Sequence, residues 1–421
     1  MDASSSSVGT PAPSAQPRSA PWIALGYGLL AGTPLAMWLA NRSAPLLLAL
    51  AAGCFVAAAL IDGRSAELSG RLRRMMATPI GIAIGAFLLW SLMSVVWSHR
   101  PVASLRDLGE FSVPIACAAA IAASGRFRPP LPWLRALALA TILACLLCVI
   151  ELASGLSQRA ALGLGKLMAF VFNRPAITAL VLAIPLVHGL WNAAGRRASD
   201  RVLAAAVVLA VIALALRSES ASARLGLAVG ASCWLAASFW PRVARWVVGI
   251  GFVVTLTLAP ILGMLAQNYM PATLLKRLPP MTGQARIDIW QSFGEAARAR
   301  PLIGTGFGTS PTLDQHPVAA LVSPERRALL AVGHPHDMPL QAWVETGAIG
   351  AVLIGIAGLL LLARLGRLPP REAAPRLALF AAAFAISVVG HGAWQGWWLA
   401  VLGSAALWFS ARQERQGDRH G

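Results

Sequence analysis

Apolar runs recur along the whole chain, most of them close to the length a helix needs to cross a bilayer. They cover residues 22–40, 44–61, 78–97, 108–124, 134–153, 172–193, 202–216, 225–240, 246–265, 338–363, 376–391 and 397–411. A spanning helix takes ~20 predominantly apolar residues, so a dozen would use roughly 240 positions and leave short connections. Inside hydrocarbon each backbone N–H and C=O must be satisfied within the protein, which makes helices the natural form for such runs. Composition agrees: 57% of the 421 residues are hydrophobic and 12% are charged, where a soluble domain carries about 25% charged residues. Mean hydropathy is +0.66. The expected fold class is an all-α polytopic membrane protein with about 12 transmembrane helices. A soluble enzyme, a nucleic-acid module and a disordered scaffold are excluded.

The charges then set the orientation. Lys and Arg number 35 against 17 Asp and Glu, and only Lys166 and Lys276 are lysines. If the N-terminus is cytoplasmic, 20 basic residues fall on the cytoplasmic side, from Arg18 and Arg64 to Arg412, Arg415 and Arg419. The short opposite loops hold eight, namely Arg42, Arg100, Arg106, Arg159, Lys166, Arg174, Arg217 and Arg224. Positive charge favours the cytoplasm, so both termini are expected there. Tryptophans 22, 97, 133, 191, 240 and 246 sit at run ends as interface anchors do. Residues 1–20, rich in Ser, Pro and Ala, read as a disordered N-terminal segment. The run at 22–40 is long for a signal-peptide core and reads as a retained anchor. All five cysteines lie in apolar runs, and Cys145 and Cys148 read as packed small residues rather than a redox pair.

This division gives transmembrane helices 1–9 over 21–265, one long outer loop over 266–337 containing short helices, helices 10–12 over 338–411, and a cytoplasmic tail at 412–421. Within the loop, Thr282 or Gly283 is placed to cap a helix that Pro301 ends. Ile289, Trp290, Phe293, Ala296 and Ala297 form its apolar stripe. Arg286 falls in the first turn on the face of Trp290, where the helix N-terminus already favours anions and a guanidinium adds a bidentate phosphate ligand. An amphipathic helix lying on the membrane surface would show the same stripe. Gly304 to Thr309 lacks the Lys-Ser/Thr of a phosphate-binding loop and reads as a tight turn, and 309–333 reads as irregular, a candidate lid or substrate channel.

The loop ends in Gly333-His334-Pro335-His336-Asp337 at the start of a span. Two histidines without a third ligand are poor grounds for a metal, and none is expected. An imidazole at the membrane boundary opposite arginines resists protonation and is suited to general-base work. Glu345, about 13 Å further along the helix, is one of very few carboxylates inside a span, and such a group is functional by default. Arg217 and Arg224 bracket a polar hairpin, and Arg174 opens another span on the same side. Arginines at span ends also serve as plain interface anchors; four of them converging with a histidine suit a doubly charged phosphate.

Three signals, in order, resemble the O-antigen ligase/Wzy superfamily. They are the turn Ser222-Ala223-Arg224; Arg286 to Trp290 followed by Pro301-Leu302-Ile303-Gly304-Thr305-Gly306; and the block His336, Leu340, Glu345, Gly347, Gly350. Asp337 stands where that family usually has Asn or Ser. The resemblance implies a glycosyltransferase of the GT-C type at the periplasmic face of the bacterial inner membrane. It would need no cofactor or metal, and it would move O-antigen from undecaprenyl pyrophosphate to the lipid A–core acceptor. His336 would be the general base, Arg224 and Arg286 would hold the pyrophosphate with Arg217 and Arg174 supporting, and His334, Asp337, Glu345 and Trp290 would support the site.

A Wzy-type polymerase uses the same donor and is the alternative within the family. A pilin-directed oligosaccharyltransferase is expected to be longer than this chain, which ends about ten residues past its last run. A transporter or lipid flippase would place ionisable residues near the midplane of broken helices, whereas here the candidates gather at one boundary. A passive scaffold has no use for clustered arginines in a long outer loop.

Overall fold

Proline opens helix after helix. It lies in the first turn of thirteen of the described elements of the computed structural model, where its missing N–H costs nothing and its fixed φ is already helical. The structure describes residues 18–164, 168–192, 195–271, 273, 283–390 and 392–410. Residues 1–17, Lys166, Lys276, Thr282 and the tail from 411 onward lie outside it.

The helices of the first half are α1 (Ala20–Ala31), α2 (Thr33–Leu39), α3 (Ala44–Ile61), α4 (Ser65–Met76), α5 (Pro79–Ser94), α6 (Pro101–Ser124), α7 (Leu131–Ala153), α8 (Ser157–Ala161) and α9 (Asn173–Asn192). Those of the second half are α10 (Ala198–Arg217), α11 (Ala221–Phe239), α12 (Pro241–Leu258), α13 (Leu262–Tyr269), α14 (Gln284–Ala299), α15 (Pro324–Arg327), α16 (Met338–Leu365), α17 (Pro370–Val389) and α18 (Gly396–Trp408). No strand occurs among the described residues. Every apolar run falls on a helix. Among the described residues nine helices are long and apolar enough to cross a membrane, or ten with α1 and α2 taken as one span bent by 51°. The bend sits at Gly32-Thr33-Pro34, where Pro34 has no N–H to continue the ladder. The chain is a multi-pass, all-helical membrane protein.

Helix α9 is the axis of the bundle: its span is 78% buried, against 17–44% for the other long spans. Because lipid is as apolar as leucine, close approach of small residues rather than a hydrophobic drive packs such helices. On α11, Gly226 and Gly230 leave room that Ile386 and Ala382 of α17 fill, so the two helices lie against each other along their length. Ion pairs tie one end of the bundle. Arg135 grips Asp200 through two bonds of 2.7 and 3.0 Å, and Arg126 pairs with Asp62.

At the opposite end, α16 is interrupted at Gly347, whose φ of 64° and ψ of −167° belong to a region only glycine enters readily. The open backbone there is filled by the turn after α14. Thr305 and Gly306 donate their N–H groups to the Val344 and Glu345 carbonyls (2.8 and 2.9 Å), and Ala348 and Ile349 donate to Pro301 and Leu302 (2.8 and 3.3 Å). Gly304 faces Gly347 so closely that a Cβ on Gly304 would lie 2.7 Å from the Gly347 nitrogen. Gly347→Ala is therefore expected to cost about 1–3 kcal/mol from the backbone conformation alone. A Cβ there would also meet the Leu302 carbonyl. A lowered thermal midpoint in detergent would register both effects.

Candidate active site

The break between α17 and α18 is the meeting point. The Arg286 guanidinium, in the first turn of α14, donates to the Val389 carbonyl at 2.6 Å. The His336 Nδ1 lies 3.3 Å from the Gly390 carbonyl. A carbonyl only accepts, so this contact puts the imidazole proton on Nδ1 and leaves the Nε2 lone pair free. Gly390 also abuts the first turn of α11: a Cβ added to it would lie 3.4 Å from the Ser222 Cβ and 2.5 Å from the Ile386 carbonyl oxygen. Two segments far apart in sequence thus bond two consecutive main-chain carbonyls, and a third packs against Gly390.

The sequence holds each segment rigidly. Buried Ser220 caps α11 by accepting from the Ala223 N–H at 3.1 Å. Gly283 occupies the N-cap of α14, whose Phe293, Ala296 and Ala297 pack in one core with Val318, Leu330, Leu340 and Val344. The irregular stretch expected after the glycine turn is accordingly a set of short 3-10 turns and α15 folded onto that core. Trp290, expected only in an apolar stripe, also donates its indole N–H to the Pro335 carbonyl at 3.1 Å, tying α14 to the histidine segment. His336 itself has a φ of 54°, uncommon for a residue with a side chain. Its N–H donates to the His334 Nδ1 at 3.3 Å, and the two rings lie 4.2 Å apart. Asp337 caps α16 through the Leu340 N–H at 2.7 Å, a role that its departure from Asn or Ser leaves intact. Its second oxygen is buried without a partner among the described residues.

Electrostatics follow from this burial. Desolvation holds the His336 imidazole below its ordinary range and the neighbouring Arg286 charge adds to that, while the Gly390 carbonyl opposes it. Burial likewise lowers the Arg286 guanidinium, and it pushes the Asp337 carboxyl up to about 7 against the pull of the Leu340 N–H. The histidine is neutral near pH 7 with an unprotonated nitrogen, next to a cation.

Below this layer Glu345 is fully buried. It accepts from the N–H groups of Gly308 and Ser310, from Gln341 Nε2 at 2.9 Å and from the Trp394 indole at 2.6 Å. One carboxylate therefore joins α16, the glycine turn and the α17–α18 break. Gln341 reaches Glu345 from one turn earlier on the same helix face, and its oxygen accepts from the Ala393 N–H at 2.9 Å. That spacing was readable in the sequence; Trp394 and the carbonyls of 389–390 carry no such signal.

The remaining arginines share this end of the bundle without being bonded to the histidine. Arg217 ends α10 and Arg224 lies in the first turn of α11; both are exposed, and neither side chain makes an ion pair or hydrogen bond among the described residues. The Arg174 guanidinium sits over the Trp397 ring, 5.4 Å from its centroid.

The family model described as O-antigen ligase matches residues 204–355, a stretch that runs from α10 to the upper part of α16 and includes Arg224, Arg286, His336 and Glu345. Over that stretch the chain is similar to the O-antigen ligase family. No curated protein matches the chain. The likeness supports glycosyl transfer of the ligase or polymerase kind, with lipid-linked glycan substrates in a membrane setting. The family match ends before the α17–α18 break, so the two carbonyls that gather Arg286 and His336 lie outside it.

Proposed function

We propose that this protein is an O-antigen ligase of the bacterial inner membrane, with both termini cytoplasmic and its site facing the periplasm. It transfers O-antigen from undecaprenyl pyrophosphate to the lipid A–core oligosaccharide by an inverting, metal-independent mechanism. The observation that carries the reading is the pairing of a neutral His336, its Nε2 unprotonated, with Arg286 on adjacent carbonyls at the end of α17. In the reaction, His336 Nε2 takes the proton of the acceptor hydroxyl. That oxygen attacks the anomeric carbon as the bond to the pyrophosphate breaks, and the leaving group keeps the electron pair. Arg286 and Arg224 stabilise the growing charge, with Arg217 and Arg174 drawing the lipid anion to the site. Asp337 and Trp290 fix the histidine segment, and His334 orients the His336 backbone.

The direct test supplies purified protein with lipid-linked O-antigen and lipid A–core in EDTA and follows the ladder of lengthened lipopolysaccharide. A ladder is expected. Elongation of the lipid-linked glycan with no ladder would make the protein a Wzy-type polymerase. Arg286→Ala is expected to lower turnover roughly 100- to 1,000-fold, the range found when one preorganised donor to a developing oxyanion is removed. Wild-type turnover in that variant would remove Arg286 from pyrophosphate binding.

A further inference from the structure

At the end of the bundle far from His336, helices α11, α12, α16 and α17 enclose a cleft of about 260 Å³. Its floor is apolar, formed by residues such as Leu365, Ala374 and Leu377, and its wall carries Arg242 and Arg245. No carboxylate lines it. Glu372, in the first turn of α17, is turned to Arg376 at 3.7 Å instead. Neither arginine makes an ion pair or hydrogen bond among the described residues, and Arg245 lies where a side chain on Gly366 would be. Two long helices begin at the cleft, α12 at Pro241 and α17 at Pro370, and neither N-terminus is capped by a side chain. A pair of guanidinium groups and two uncapped helix starts converge on one cavity with nothing negative in it. Free N–H groups, two positive helix ends and two bidentate donors are what a phosphate group requires.

The surroundings specify the source of that phosphate. Trp240 and Trp246 are exposed on either side of the arginines, as residues at headgroup level are. Trp246 and Val253, four and eleven residues on from Arg242 and therefore on its helix face, are exposed and continue from the cleft along α12 as a strip that acyl chains can cover. Basic pockets between membrane helices at this level bind anionic headgroups. We infer that this cleft is a binding site for an anionic phospholipid, whose phosphate is held between Arg242 and Arg245 while its chains lie along α12. A soluble phosphate would satisfy the arginines but would gain nothing from the apolar strip.

The full-length protein is reconstituted in zwitterionic phosphatidylcholine nanodiscs and titrated with fluorescent phosphatidylglycerol. Saturable binding is expected. Arg242→Gln/Arg245→Gln should weaken it roughly 30-fold, the loss for two arginines near a membrane surface. Arg364→Gln/Arg367→Gln removes equal charge from the same end outside the cleft and should change binding less than threefold. Inorganic phosphate should displace the probe only at millimolar concentrations. Equal loss in both double variants would reduce the effect to surface charge and overturn the site. Displacement by micromolar phosphate would overturn the lipid assignment in favour of a soluble anion. Because unlabelled phosphatidylglycerol against phosphatidylcholine can be compared on the wild type alone, a result does not depend on either variant folding. Equal competition by the two lipids also overturns the proposal.

Discussion

Replacing His336 by Ala is expected to lower kcat/KM for glycosyl transfer by about 10²–10⁴, the contribution of a well-placed general base. Protein yield and thermal midpoint should change little, because the ring makes one long bond to Gly390 and is partly exposed. The pH profile separates a base from a mere binding contact. The active form is the neutral imidazole. Burial and Arg286 move its titration below the ordinary histidine range, so activity should be level around pH 7. It should fall about tenfold per unit below a midpoint under pH ~6.5. In His336→Ala the residual rate should lose that acid limb. A variant that kept both its rate and the limb would place the base elsewhere.

Glu345→Ala should be the most damaging single change outside the reacting groups. It leaves four buried donors facing a void: two backbone N–H groups, an amide and an indole. Removing one member of a buried charged network costs about 3–5 kcal/mol, comparable to the whole stability margin of many proteins. Poor recovery and a thermal midpoint lowered by many degrees are expected. Glu345→Gln keeps the shape and one acceptor oxygen and should recover part of the loss. If instead Glu345→Ala folded normally and lost only transfer, the carboxylate would have to act on substrate rather than on the scaffold.

The spans were legible because hydrocarbon allows a run of apolar residues few other forms. What composition could not tell is how many of those helices meet the length and hydropathy of a full crossing, since α1–α2 is bent at Pro34 and α18 is short. The site was half legible. The resemblance to the O-antigen ligase/Wzy superfamily marked His336, Glu345 and Gly347 as one block and Pro301 to Gly306 as another. Only the fold shows that the two blocks dock, with Gly304 against Gly347. Arg286 and Trp290 could be placed on one helix face from their spacing, but their partners are the carbonyls of Val389 and Pro335. Every residue carries a carbonyl, so no residue type marks those two.

Holding the reacting groups by main-chain oxygens has a consequence for how such a site can change over time. The side chain at position 389 takes no part in the bond to Arg286, so substitutions there leave the bond available; position 390 must stay small, and little else in the pair is fixed by chemistry. What cannot drift is length. A residue gained or lost between the end of α17 and Trp394 would rotate both carbonyls away from Arg286 and His336, and would pull Trp394 off Glu345. The segment is tolerant of spelling and intolerant of insertion, the reverse of an ordinary surface loop.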